Sequence, residues 1–229
     1  MKKAIFVIST ILLLQSATQA ADTQNNFISK VQIKNKYLKN LCKNKKSIFT
    51  INYPQIEKLS NKAIENKINT YLKKEFNDPK NGQCEDYTQE DIYKSDTNYH
   101  TFLNDKGILS LTYSNEGYLE KSAHPNNLTQ GIDISLNKGT PIEFKSLFTE
   151  NSKYVDRINE VIKKNLEKQE IEFPEDYQKS DYDFFLTNKE LVIINIFDFH
   201  AMQSVDAQIS YASIKDILDK KGPLELLLK

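Results

Sequence analysis

Arginine is nearly missing from this sequence: Arg157 is the single arginine among 31 basic residues, and the rest are lysine. Planar, bidentate recognition of phosphate or carboxylate depends on the guanidinium fork, so residue type argues against a nucleic-acid-binding or phosphoryl-transfer role. Charge argues the same way, because 31 acidic side chains cancel the 31 basic ones and leave no polyanion footprint. Glycine is scarce, six in 229 residues, and no Gly-rich phosphate loop occurs. There is no G-x-S-x-G elbow, no C-x-x-C pair and no H-x-x-H or H-E-x-x-H spacing, which removes the usual signatures of acyl transfer, thiol redox and zinc hydrolysis. Beyond the first twenty residues, no apolar run approaches the ~18 residues of a membrane-spanning helix.

What is present begins with an export signal. Lys2 and Lys3 precede an apolar stretch, Ala4 to Leu14, that is too short to span a bilayer, and small residues follow at Ser16, Ala17, Thr18 and Ala20. This is the pattern of a cleavable secretory signal peptide, residues 1–20, cut after Ala20. No cysteine stands just after the apolar stretch to carry a lipid anchor. The pattern reads as bacterial export to the periplasm, with a soluble mature chain. Losing Lys2 and Lys3 leaves 29 basic against 31 acidic residues, a formal charge of −2. An apolar fraction of 39% fits a globular chain with one sizeable core or two small, closely packed domains. In an oxidising compartment the only two cysteines, Cys42 and Cys84, are expected to form one disulfide. Closing that loop is worth about 4 kcal/mol in the chain-entropy picture.

Residues 21–46 are polar and lysine-rich, and read as a lead-in segment that includes a first strand. Ser47 to Tyr53 has the β-branched and aromatic content of a strand. Pro54 is expected to open a helix reaching Phe76, with Ile56, Leu59, Ala63, Ile64, Ile68, Tyr71, Leu72 and Phe76 as its buried stripe. From Tyr93 the period becomes two. Strands are expected around Tyr99–Leu103, at Ile108–Tyr113 after the Asn104–Gly107 turn, around Tyr118, and through Ile132, Ile134 and Leu136. A second long helix is expected over Asn151–Lys168, capped by Thr149 or Asn151. A hairpin follows at Phe184–Leu186 and Leu191–Phe197, then a strand at Ile209–Tyr211 and a short helix at Ser213–Leu218. The expected fold class is α+β: a mostly antiparallel sheet with two long helices packed on it.

Chemistry-bearing residues are few. Among the three histidines, His100 reads as a strand-edge residue. His200 follows Asp198-Phe199, and Asp198 and His200 share one face of an extended strand. His124, between Ala123 and Pro125, is held extended by the proline. A catalytic or metal site built from His124, His200 and Asp198 has no supporting spacing, and the carboxylates Glu116, Glu120, Asp133 and Glu143 show no pairing along the sequence. No cofactor and no metal are expected.

Several segments together resemble the extracytoplasmic domain pair of RsiV-type anti-sigma factors, which bind lysozyme, and of the peptidoglycan deacetylase PdaC, where it precedes the catalytic domain. They are Tyr53-Pro54-Gln55-Ile56 with Asn66-Lys67-Ile68-Asn69; Gly107-Ile108-Leu109-Ser110-Leu111; Tyr118 followed by Ala123-His124-Pro125; Ile132-Asp133-Ile134 before Gly139; Leu147-Phe148; Phe184-Phe185-Leu186-Thr187; Leu191-Val192-Ile193; and Ile209-Ser210-Tyr211. The order is kept over residues 47–218. Where family members carry glycine before Ala-His-Pro, this chain has Lys121-Ser122, and residues 197–205 depart from the family's aromatic, proline- and glycine-containing run. The resemblance implies a PdaC-like subdomain over 47–127 and an RsiV-like subdomain over 128–229. It also implies a non-enzymatic binding module for a lysozyme-like muramidase or cell-wall glycan, the alternative being a small envelope hydrolase or metal-dependent enzyme using His124, His200 and Asp198. Loops and strand ends are the expected binding surface: Tyr118, His124, Pro125 and Asn126 in one segment, Phe199, His200 and Met202 in the other. Tyr118 and Phe199 read equally well as core aromatics.

Overall fold

The computed structural model describes residues 30–77, 90, 92–174, 177, 179–197 and 205–229. Strand β1, Gln32–Leu41, lies antiparallel to β2, Ile48–Glu57, along ten register pairs from Gln32↔Glu57 to Leu41↔Ile48. β2 runs through Pro54, so the helix expected to open at this proline starts later. Ile56 shows why the strand tolerates it: its N–H turns away from β1 and donates to Asn69 Oδ1 at 2.7 Å. Pro54, two residues earlier, presents its donor-less nitrogen to the same side, where pairing with β3 ends at Ile51, so no ladder bond is lost. Helix α1 is Lys62–Phe76, with Asn61 capping the N–H groups of Ala63 and Ile64.

β3 (Tyr93–Asp105) pairs with β2 in parallel, and with β4 (Ile108–Leu119) antiparallel, with a bulge between Thr101 and Leu103. The two strands expected at Ile108–Tyr113 and around Tyr118 are this one continuous β4. The turn between β3 and β4 has Lys106 at φ 51° and Gly107 at φ +78°, the pair of left-handed residues that a two-residue hairpin needs. β5 (Asn126–Ser135) and β6 (Thr140–Pro141) complete a six-stranded sheet in the order β1-β2-β3-β4-β5-β6. A second, three-stranded antiparallel sheet is made of β7 (Asp183–Leu186), β8 (Glu190–Ile194) and β9 (Ala207–Ser210).

Helix α2, Tyr154–Lys168, buries Ile158, Ile162 and Leu166. Neither expected residue caps it: Lys153 holds the N-cap position, Thr149 Oγ1 donates instead to Leu218 O at 3.3 Å, and Asn151 adopts a left-handed φ of 61°. The short helix expected at Ser213–Leu218 is a single 3-10 turn, Tyr211–Ile214. The fold is α+β as expected, with a difference in the helices. Each has 15 residues, shorter than the sequence suggests, and each serves its own sheet.

Alternation along β4 and β5 produces two cores. Leu109, Leu111, Ile132 and Ile134 face α1, packing with Ile68, Leu72 and Phe76. On the opposite face Ile108 joins Phe184, Leu186, Ile193, Ile158, Ile162 and Leu166 in a core under the second sheet and α2. The β4–β5 ribbon is therefore a partition buried on both sides.

Candidate functional site

The segment from Tyr118 to Asn127 forms the free end of the β4–β5 hairpin. Register pairs run Asn115↔Leu128, Glu116↔Asn127 and Gly117↔Asn126, beyond which the chain turns. Tyr118, at 43% exposure, is a surface residue and not core, and Leu119 and Leu128 stand 37% exposed beside it. Leu119 and Leu128 share one face of the ribbon and Tyr118 takes the other, so the hairpin end carries apolar groups on both sides.

The turn is braced internally. Ser122 Oγ donates to Leu119 O at 2.7 Å and lies 3.1 Å from His124 O, while His124 Nδ1 lies 3.1 Å from Pro125 O. Glu120 N–H donates to Ile92 O at 2.9 Å and ties the turn to the start of β3. Lys121 has φ 72°, a left-handed conformation that favours glycine. His124 and Asn126 are exposed and Pro125 is half-buried. Phe199, His200, Met202 and Asp198 lie outside the described residues, so their relation to His124 is not part of this geometry. His100, on β3, packs edge-on against Phe102 with ring centroids 4.6 Å apart. Cys42 is buried at 3% exposure and is not a free thiol; its expected partner, Cys84, lies outside the described residues.

Two carboxyl groups stand between the sheets. Asp133, on β5, is buried together with its register partner Ser110 on β4. Ser110 Oγ accepts the Leu186 N–H at 2.7 Å and hydrogen-bonds the Asp133 carboxyl. The other oxygen, Oδ1, is buried without a hydrogen-bond partner. Burial holds the Asp133 carboxyl well above the usual carboxylate range, despite the bonds from Ser110 and Leu186, and the nearby Asp183 pushes the same way. Asp183, at the start of β7, accepts the Gly131 N–H at 2.8 Å and the Asn195 side-chain amide at 2.8 Å. Burial raises its pKa too, against those bonds and the charge of Lys179. A Cβ on Gly131 would sit 1.6 Å from Phe184 O, so glycine is what lets β5 approach β7. The sequence marks Asp133 as a carboxylate without a visible partner; Asp183, 50 positions away, carries no local signal at all.

No family model matches the chain, and no curated protein matches it. Solved structures do. A member of the DUF3298 family from Bacteroides fragilis superposes with a TM-score of 0.65 at 15% identity, over 88% of this chain and 98% of that one. A DUF3298 family protein from Pseudomonas aeruginosa superposes with a TM-score of 0.64 at 8% identity, over 84% of this chain and 96% of that one. At such identities the likeness is one of fold, to a domain of unknown function.

Proposed function

We propose that this chain is an exported, periplasmic, non-enzymatic binding module whose partner is a lysozyme-like muramidase or the cell-wall glycan such an enzyme acts on. The observation that carries this reading is the hairpin end. Tyr118, Leu119 and Leu128 are three of the six large hydrophobics exposed among the described residues, and they lie at one end of the β4–β5 hairpin, next to its braced turn. Exposed apolar groups gathered on a rigid support are the usual makings of an interface. The resemblance to the lysozyme-binding domains points to the same segment. His124, Pro125 and Asn126 supply a polar rim beside these anchors.

The test is titration of the mature protein with hen lysozyme and, in parallel, with solubilised peptidoglycan. Tyr118→Ala is expected to weaken binding of the true partner about tenfold or more, a loss above ~1.4 kcal/mol. Its thermal stability should stay within ~0.5 kcal/mol of the parent, as for other surface substitutions. Wild-type protein that binds neither at micromolar concentration would overturn the proposal. Release of soluble products from peptidoglycan, abolished by His124→Ala, would replace it with the hydrolase alternative.

A further inference from the structure

One face of the six-stranded sheet packs on α1 through Ile51, Tyr53, Tyr99 and Tyr113. Side chains alternate along a strand, so Asn52, Asn98 and Ser114 point the other way. Register aligns them in one row across four strands. Tyr37 on β1 is the partner of Asn52 on β2, and Asn98 on β3 is the partner of Ser114 on β4. Asn52 Nδ2 joins the two halves by donating to Asn98 Oδ1 at 2.8 Å, and Asn35 Nδ2 on β1 donates to Asn52 Oδ1 at 3.4 Å. At the usual strand spacing the row is about 14 Å long. Tyr37 stands 57% exposed at its end, and Asn35, Asn98 and Ser114 are exposed as well. Asparagine is depleted in strands, and a solvated sheet face has no packing need for it. Other asparagines here serve the fold: Asn61 caps α1, Asn69 bonds both backbone groups of Ile56, Asn104 does the same for Val31, and Asn195 bonds Thr129 O. Asn35, Asn52 and Asn98 bond one another instead. That holds three amides in line and leaves Asn35 Oδ1 as an acceptor and Asn98 Nδ2 as a donor for a partner. Such departures from local propensity gather at functional sites.

We propose that this row binds an uncharged oligosaccharide bearing N-acetyl groups, with a sugar ring against Tyr37 and its acetamido and hydroxyl groups on the Asn35–Asn52–Asn98 amides and Ser114. Charge complementarity names the class. Charged residues make up 27% of the chain, yet the row from Tyr37 to Ser114 holds none. The adjacent row carries both signs, Lys39 with Asp96 and Glu116. A polyanion finds no matching field there, and one aromatic among amides offers too little apolar surface to a hydrophobic partner. Side-chain amides and a hydroxyl supply donors and acceptors together, as an acetamido group and sugar hydroxyls require. The tyrosine ring offers an apolar face with a polar tip, which suits a sugar ring that is apolar on one side and hydroxylated at its edge. Tyr118 lies on the same face, two rows further along β4 from Ser114, about 14 Å away, so a longer glycan leads from the row to the hairpin end. The glycan of the proposed function is thereby given its track, an assignment that rests on the chain being an envelope binding module.

The mature chain is titrated calorimetrically with the tetramer of N-acetylglucosamine, with the de-N-acetylated tetramer as a cationic control, and in parallel with solubilised peptidoglycan and hen lysozyme. Saturable binding of the acetylated tetramer is expected, with the control weaker by about tenfold or more. Tyr37→Ala and Asn52→Asp, the second placing a charge in the row at constant shape, should each weaken the tetramer by about tenfold or more. Melting temperatures should stay close to the parent's, since both changes are at the surface. No saturable tetramer binding at millimolar concentration, equal binding of the control, or unchanged affinity in both variants would overturn the assignment. Lysozyme binding without tetramer or peptidoglycan binding would overturn it and leave the hairpin end as a protein interface. Peptidoglycan binding that falls in Tyr118→Ala but is unchanged in Tyr37→Ala and Asn52→Asp would likewise overturn the row and keep the hairpin. Binding of none of the three would remove both readings.

Discussion

Asp133 is the residue whose cost to the fold is most visible. Its carboxyl and that of Asp183 both hold their protons more tightly in the folded protein than in the unfolded chain, chiefly because burial disfavours the charged form. The folded state therefore binds more protons than the unfolded state above the ordinary carboxylate range, and stability falls with rising pH. Their contribution is fully present below the unfolded pKa and is lost as pH rises through the folded values. Glu65 and Glu160, whose pKa values are lowered by lysine and arginine partners, act in the opposite sense, but both are solvent-screened surface pairs of small weight. Asp133→Asn removes the larger buried ionisation. Thermal melts from pH 4 to pH 8 should show the parent losing stability toward neutral pH and the variant losing less, with the difference between them widening as pH rises. Parallel curves would contradict this account. Sequence reading registers Asp133 but not its consequence. Its environment is made by Ser110, Leu186 and Asp183, three residues that only the tertiary fold brings together.

At the scale of the element, periodicity is informative where a segment is buried on one face. Ile68, Leu72 and Phe76 of α1 emerge from helical spacing as the buried positions they are. Pro54 is misread for a definite reason. A proline rule that favours helix starts is local, whereas the direction of a strand residue's N–H depends on which neighbour has stopped pairing. The 15-residue α1 begins only after β2 has run to Glu57 and Asn61 has offered a cap. Tyr118 is undecidable by spacing alone, since alternation carries no information once a strand passes beyond the core it covers. The loop from Cys42 to the expected partner Cys84 spans β2 and α1. We expect a single Cys42–Cys84 disulfide, seen by mass spectrometry as two cysteines that resist alkylation until reduced. Cys42→Ser should then lower stability by about 2–5 kcal/mol, and prior reduction should cancel the difference between variant and parent. Two free thiols in the native protein would refute the pairing.

Across the whole molecule, composition and order of elements yield the α+β class, while the division into two sheets does not follow from them. The strand-after-strand run from Tyr93 to Pro141 looks the same whether the next strands extend one sheet or start another. The two sheets meet where β5 approaches β7 at Gly131, an approach locked by Asp183 and by Asn195, whose side-chain amide also donates to Thr129 O at 2.7 Å. The export reading belongs to this scale too. N-terminal sequencing of protein from the periplasmic fraction should begin at Ala21, and intact Met1 on membrane-bound protein would be the opposite result. No helix among the described residues is long and apolar enough to cross a membrane.

The two ends of the six-stranded sheet are finished differently. β1, the outermost strand on one side, sets Lys34, Lys36 and Lys39 along its length, while β6 on the other side is two residues long. Lysine on one margin and brevity on the other are both ways of denying a foreign backbone a place to zip on. A sheet whose margins are finished this way resists the edge-to-edge growth from which fibrils start. Lys34, Lys36 and Lys39 thereby set like charges against one another wherever two copies of this edge would meet.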